Sequence, residues 1–160
     1  MNRGLKAVAY HEAGHAVARI HVGAGATAVE IRPDGSGFCH GTGQPMLIVD
    51  GASQEAAYNV ILIFAAGPHA EARASRKSAA VTMLTSGSDD WKQIEPQIDW
   101  LIARRFAQDS GRAQSRMRQH LRQFFKQRWP AIERVAAALL QKRFLSADEV
   151  RALAAIGEKQ

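Results

Sequence analysis

Apolar residues recur along most of this chain with a helical period and in one short stretch with a strand period. From Leu5 to Val22, Ala, Val, Leu and Ile return at three- and four-residue spacings without a proline. The run stops at Gly23-Ala24-Gly25, which predicts a first helix. Thr27-Ala28-Val29-Glu30-Ile31 then alternates with period two, Pro33-Asp34-Gly35 supplies turn chemistry, and Gly37 to His40 can return as a second strand. Gly41 to Gly51 reads as a loop. Ser53 can cap a helix that runs through Tyr58 and the continuous apolar stretch Val60 to Ala66. A segment apolar on every side belongs in the middle of a core.

Gly67-Pro68 interrupts that pattern, and Ala70 to Arg73 can continue as helix after a kink. Lys77 to Gly87 reads as irregular. Another helix begins near Asp89, with Trp91, Ile94, Ile98, Leu101 and Ile102 at helical spacing, and Pro96 predicts a bend or a break near Glu95. After Asp109-Ser110-Gly111 comes a basic helix. Pro130 is placed to open a further one, with Ile132, Val135, Ala136, Leu139 and Leu140 facing inward. Ser146-Ala147-Asp148-Glu149 is a capping box ahead of a last helix. The expected fold class is mainly α, with a small β-hairpin or sheet after the first helix. No repeat or interior linker divides the chain, so residues 1–160 are expected to form one domain.

Composition narrows the classes. The longest apolar stretch, Val60 to Ala66, is far too short to span a bilayer, and no apolar signal-like segment precedes the first helix. A soluble, cytoplasmic protein without a membrane partner is expected. The single cysteine, Cys39, excludes an intramolecular disulfide framework and a thiolate zinc cluster. The net charge of +6 is unevenly spread: from Arg104 to Arg128 there are eight basic residues and one acid, Asp109. Met117, Leu121, Phe124 and Phe125 interleave with them at three- and four-residue steps. That is the pattern of a core-packed helix with a solvated basic face, and it makes nucleic acid an unfavoured partner.

The chemistry is concentrated near the N-terminus. His11-Glu12-Ala13-Gly14-His15 is HExxH, and on a helix its histidines lie about 40° apart on one face, close enough to share one ion. Glu12, about 100° round from His11, is then free to take a proton from a water at the metal. Catalytic zinc takes three protein ligands and leaves one position open. His21 follows His15 by six residues, as in the extended motif HExxHxxGxxH, but Ala18 stands where that motif has glycine. If the helix continues, His21 points about 120° away from His15. His69 and Glu71 on the second helix, and Asp89 and Asp90 at the start of the next, remain as candidates. A carboxylate at a helix N-terminus favours the Asp89-Asp90 pair without choosing within it, and one of the two is expected to cap the helix. Cys39 and His40 are close together, and a partly buried hairpin explains them better than a second metal site.

The order of these segments resembles the peptidase domain of the FtsH-type ATP-dependent zinc proteases. The resemblance is carried by HEAGH followed by Ala-Val, Val-Glu-Ile-Arg-Pro with Gly-Phe after it, Ala-Gly-x-x-Ala-Glu, and Ser-Gly-Ser-Asp-Asp-Trp. Trp129-Pro130-Ala131-Ile132-Glu133 and Leu145 to Val150 follow, so that it covers about residues 7 to 153. It implies a zincin-like helical domain, a Zn2+ ion held by His11, His15 and Asp90, and Glu12 as catalytic base in a metalloendopeptidase. Asp89 falls where the family usually has Asn, and Glu71 falls on a position suited to orienting a histidine. The chain departs from the family in Gly67-Pro68-His69, in Pro96, and in carrying no transmembrane helix and no G-x-x-x-x-G-K-[ST] loop. ATP binding of its own is therefore not expected. The substrates expected are flexible peptides or unfolded proteins, including any delivered by a separate ATPase partner.

Overall fold

A computed structural model describes residues 3–41 and 52–156. The expected Gly41–Gly51 loop lies, from residue 42 on, outside the described residues. Six helices and a small sheet follow in the order α1 (Arg3–His21), β1 (Val29–Ile31), β2 (Gly37–Cys39), α2 (Gln54–Ser75), α3 (Ala79–Leu84), α4 (Ser88–Ala103), α5 (Ser110–Lys142), β3 (Phe144–Leu145) and α6 (Ala147–Ala155). The protein is mainly helical, with one three-stranded antiparallel sheet. The sheet order is β2-β1-β3, with Val29 opposite both Cys39 and Leu145. The third strand has only two residues, too few to show a period, and it was not legible in the sequence.

The core is one cluster that draws on all the helices. Its centre is α2, where Val60 to Ala66 are buried without interruption and Ile61, Ile63 and Phe64 are among the largest fully enclosed side chains. α1 lies across α2 with very small residues at the crossing. A Cβ on Gly14 would come within 2.5 Å of the Ala66 carbonyl oxygen, so the two backbones approach only because Gly14 carries none. Ser53 caps α2 by accepting from Ala56 N–H, and Ser146 with Glu149 forms a complete capping box on α6.

The prolines behave differently from expectation. α2 runs through Pro68, α4 through Pro96 and α5 through Pro130 as continuous helices. Pro130 therefore does not open a new helix; it sits inside a 33-residue one. An interior proline costs about 3 kcal/mol, whereas each large apolar side chain buried on these helices returns about 1.5–3 kcal/mol. On α5 the buried set Met117, Leu121, Phe124 and Phe125 continues past Pro130 into Ala131, Ile132, Val135 and Leu139, so a break would uncover one face of the core. The 77–87 segment is also more ordered than its composition suggests, because α3 forms within it and buries Thr82 and Met83.

Candidate metal centre

α1 presents His11 and His15 four residues apart, with ring centroids separated by 4.8 Å. Opposite them stands one ridge of α2 stepped in fours, Ile63, Gly67 and Glu71. Each member of the ridge serves a histidine. The Ile63 carbonyl lies 2.8 Å from His15 Nδ1, and Glu71 Oε2 lies 3.0 Å from His11 Nδ1. A carbonyl only accepts, so His15 donates through Nδ1, and in the neutral ring Nε2 is left with the lone pair that a metal would use. The Glu71 carboxylate imposes the same tautomer on a neutral His11. Between them Gly67 leaves room for the ring of His15: a Cβ there would fall 2.3 Å from His15 Nε2.

The third element comes from the start of α4. Asp90 Oδ2 lies 3.2 Å from His11 Nε2, and Asp90 Oδ1 lies 3.2 Å from His15 Nε2. The three donor atoms chosen from these residues lie within 4.8 Å of one another. Metal–ligand bonds of about 2.0–2.1 Å at tetrahedral angles put ligand atoms about 3.3 Å apart, so the two His–Asp separations fit a shared ion. The donor set of two imidazoles and a carboxylate also fits, as do the acceptors behind the histidines. Among the described residues no other group of His, Cys, Asp and Glu converges in this way.

The alternatives are placed elsewhere. Asp89 points to solvent and pairs with Lys92 at 2.6 Å. Neither aspartate caps α4, whose N-cap is Gly87 without a side-chain bond; this corrects the expectation that one would. The ring of His21 packs on Phe124 at 5.3 Å, and its Nδ1 accepts from Arg128 Nε at 3.3 Å. His69 Nδ1 donates to the Ala65 carbonyl at 2.8 Å. Cys39 is buried in β2, and His40 lies 3.8 Å from Glu30. One contributor had no sequence signal of its own. Ser86 Oγ donates to Glu71 Oε2 at 2.7 Å, tying the loop ahead of Asp90 to the carboxylate behind His11.

The electrostatics follow from burial and pairing. Burial alone lowers the basicity of His11, but its hydrogen bonds to Asp90 and Glu71 outweigh this and raise its pKa to about 10 in the metal-free protein. Burial would raise Asp90, yet His15 and His11 hold it well below the usual carboxylate range. Glu71 is likewise pushed up by burial and brought below its ordinary value by hydrogen bonds from His11 and Ser86. Glu12 moves the other way: burial raises its pKa, and the neighbouring His15 and His11 only partly offset this. Glu12 as a whole is 7% exposed, and its carboxylate fits against β2 because residue 37 is glycine; a Cβ there would fall 2.3 Å from Glu12 Oε1. These groups open into a cleft of about 360 Å³ walled by Val8, Phe38, Phe64 and Gln93.

No protein-family model and no curated protein matches the sequence. No helix among the described residues is long and apolar enough to cross a membrane.

Proposed function

We propose that this protein is a zinc-dependent metalloendopeptidase with a zincin-like fold, similar to the peptidase domain of FtsH-type proteases. The carrying observation is the convergence of His11, His15 and Asp90 beside a buried, unspent Glu12. A purely structural site closes its fourth position and needs no base. Here three protein donors face an open cleft, as a catalytic site requires.

In this reading His11 and His15 bind through Nε2 and Asp90 through its carboxylate. Glu71 and the Ile63 carbonyl hold the rings in the binding tautomer. A zinc ion held there supplies a Lewis acid that acidifies a water and polarises the scissile carbonyl. Glu12 accepts the proton from the attacking water and delivers it to the leaving amine; its raised pKa suits a group that must both take and return a proton. Phe38, Val8 and Phe64 supply apolar wall for a substrate side chain. Among the described residues β2 is the edge of the sheet that borders the cleft, and an extended peptide adding there as a further strand would lie along the cleft. Such a site acts on flexible or unfolded segments, so folded substrates call for delivery by a separate ATPase.

Cleavage of unfolded casein tests this. The zinc-loaded protein should cleave it, a chelator should stop the reaction and zinc should restore it. Glu12→Gln should retain zinc and lose turnover by about 10²-fold or more. Cleavage that persists in Glu12→Gln removes the mechanism. Bound zinc without cleavage of any unfolded substrate favours an interaction module that keeps the peptidase fold but lacks turnover.

A further inference from the structure

A groove that shares no lining residue with the cleft runs between α2, α3, α4 and α5. It consists of two hollows, of about 340 and 560 Å³, joined through His69, Ala79 and Arg118. Its walls are apolar, with Met83, Trp91, Met117, Leu121 and Phe125 contributing. On α3 the apolar surface runs from Leu84 at the groove, 73% exposed, to Val81 beyond it, 56% exposed. Both are large apolar side chains that are costly to leave in water, and they sit together on one six-residue helix.

The margin is basic. On α5, Met117, Leu121 and Phe125 form one ridge in steps of four, and Arg118 and Arg122, one position on, form the ridge beside it. Arg73 stands at the edge of the same hollow. No carboxylate lines either hollow, and neither Arg118 nor Arg122 is paired with one among the described residues. An apolar trough bordered by guanidinium groups is complementary to an apolar ridge bordered by carboxylates.

We propose that this groove docks an acidic amphipathic helix of a partner protein. Its apolar side chains at i and i+4 enter between Leu84 and Met117, and its flanking Asp or Glu side chains meet Arg118 and Arg122. The exposed Val81 and Leu84 argue against nucleic acid, whose phosphates gain nothing from aliphatic surface. A second copy of this chain, with its net charge of +6, carries the wrong sign. The inference stands apart from peptidase activity, because the groove and the metal centre have no residue in common.

The test is selection from a displayed library of amphipathic helices in which the positions flanking an i, i+4 leucine pair are randomised, using the full-length protein as target. The expected result is enrichment of Asp and Glu at the flanks and one-to-one binding. That binding should weaken about tenfold or more against R118E/R122E and also against Leu84→Ser. All three side chains are exposed, and thermal melts of the variants check that they fold as the parent does. Flanks that emerge neutral or basic, or binding unchanged by the charge reversal, would overturn the proposal. So would displacement of the selected helices by an oligonucleotide, or a dimer that Leu84→Ser dissociates.

Discussion

Replacing Gly67 by alanine adds a single methyl group to α2, at the one point on that helix where the ring of His15 needs the space. The added Cβ would lie 2.3 Å from His15 Nε2 and 2.5 Å from Cε1, against an ordinary carbon–nitrogen contact of about 3.5 Å. The ring must retreat by about 1 Å, and it cannot do so while Nδ1 keeps its 2.8 Å bond to the Ile63 carbonyl. Loss of an orienting bond behind a ligand costs about 10–100-fold in metal affinity; displacing the ligand atom itself costs more, so a loss of at least about 100-fold in zinc affinity is expected. Stability should also move against the usual rule. Gly→Ala inside a helix normally gains about 0.8–1.0 kcal/mol, whereas overpacking here should cost about 1–3 kcal/mol. Competition titration against a chromophoric chelator measures the first quantity and denaturant unfolding of the metal-free protein the second. His15→Ala in the same background makes the cause visible, because with the ring gone the alanine is accommodated and the two stability losses should not add. A Gly67→Ala protein that binds zinc like the parent and is more stable would refute the placement of His15.

Gly37→Ala should separate binding from chemistry. Its Cβ meets Glu12 rather than a zinc ligand, so zinc affinity should stay within a few-fold of the parent while casein cleavage falls by about 10²-fold; equal losses in both would contradict the assignment of Glu12. Metal binding should be coupled to protons. His11, raised to about 10 without metal, must lose its proton to bind, so zinc titrated calorimetrically at pH 8 in buffers of different ionisation enthalpy should release close to one proton per ion bound at this residue. Stability of the metal-free protein follows the same shift. The His11 contribution is complete below its ordinary pKa of about 6.5 and fades as pH climbs towards about 10. The Asp90 contribution is present above the ordinary carboxylate range and fades in acid. Chemical denaturation across that pH range reads both limbs, and flat stability between pH 7 and 10 would contradict the first. Pro130→Ala should stabilise the fold by up to about 3 kcal/mol, because it restores a helix donor at an exposed position of α5; destabilisation would show that the proline is needed where it is.

The face of α1 that carries His11 and His15 was legible because HExxH states both residue types and spacing, and a helix converts that spacing into a shared direction. The hairpin and the caps at Ser53 and Ser146 were legible for the same local reason. The choice of Asp90 over Asp89 was different. Their local sequence is almost symmetrical, and what separates them is which way each side chain leaves the first turn of α4, a consequence of how α4 packs on α2. Resemblance pointed to Asp90 where residue chemistry alone left the pair open. The ridge Ile63, Gly67, Glu71 was present in the sequence at steps of four, yet its meaning depends on α1 lying across it. Ser86 gave no signal because a serine in a Ser-Gly-Ser loop is ordinary loop chemistry. The prolines predict bends and breaks for the opposite reason: their cost of about 3 kcal/mol is local and visible in the sequence, whereas the burial on both sides that outweighs it is not. β3 and α3 were too short for periodicity to register.

The central claim is that one zinc ion is held by His11, His15 and Asp90 with a position left for water. X-ray absorption at the zinc edge of the loaded protein measures this directly. The expected spectrum shows two imidazole rings and oxygen donors at about 2.0–2.1 Å, and Asp90→Ala should lose a protein oxygen donor and bind zinc more weakly, with both imidazoles retained. Sulfur scattering from Cys39, a third imidazole, or a spectrum unchanged in Asp90→Ala would contradict the account.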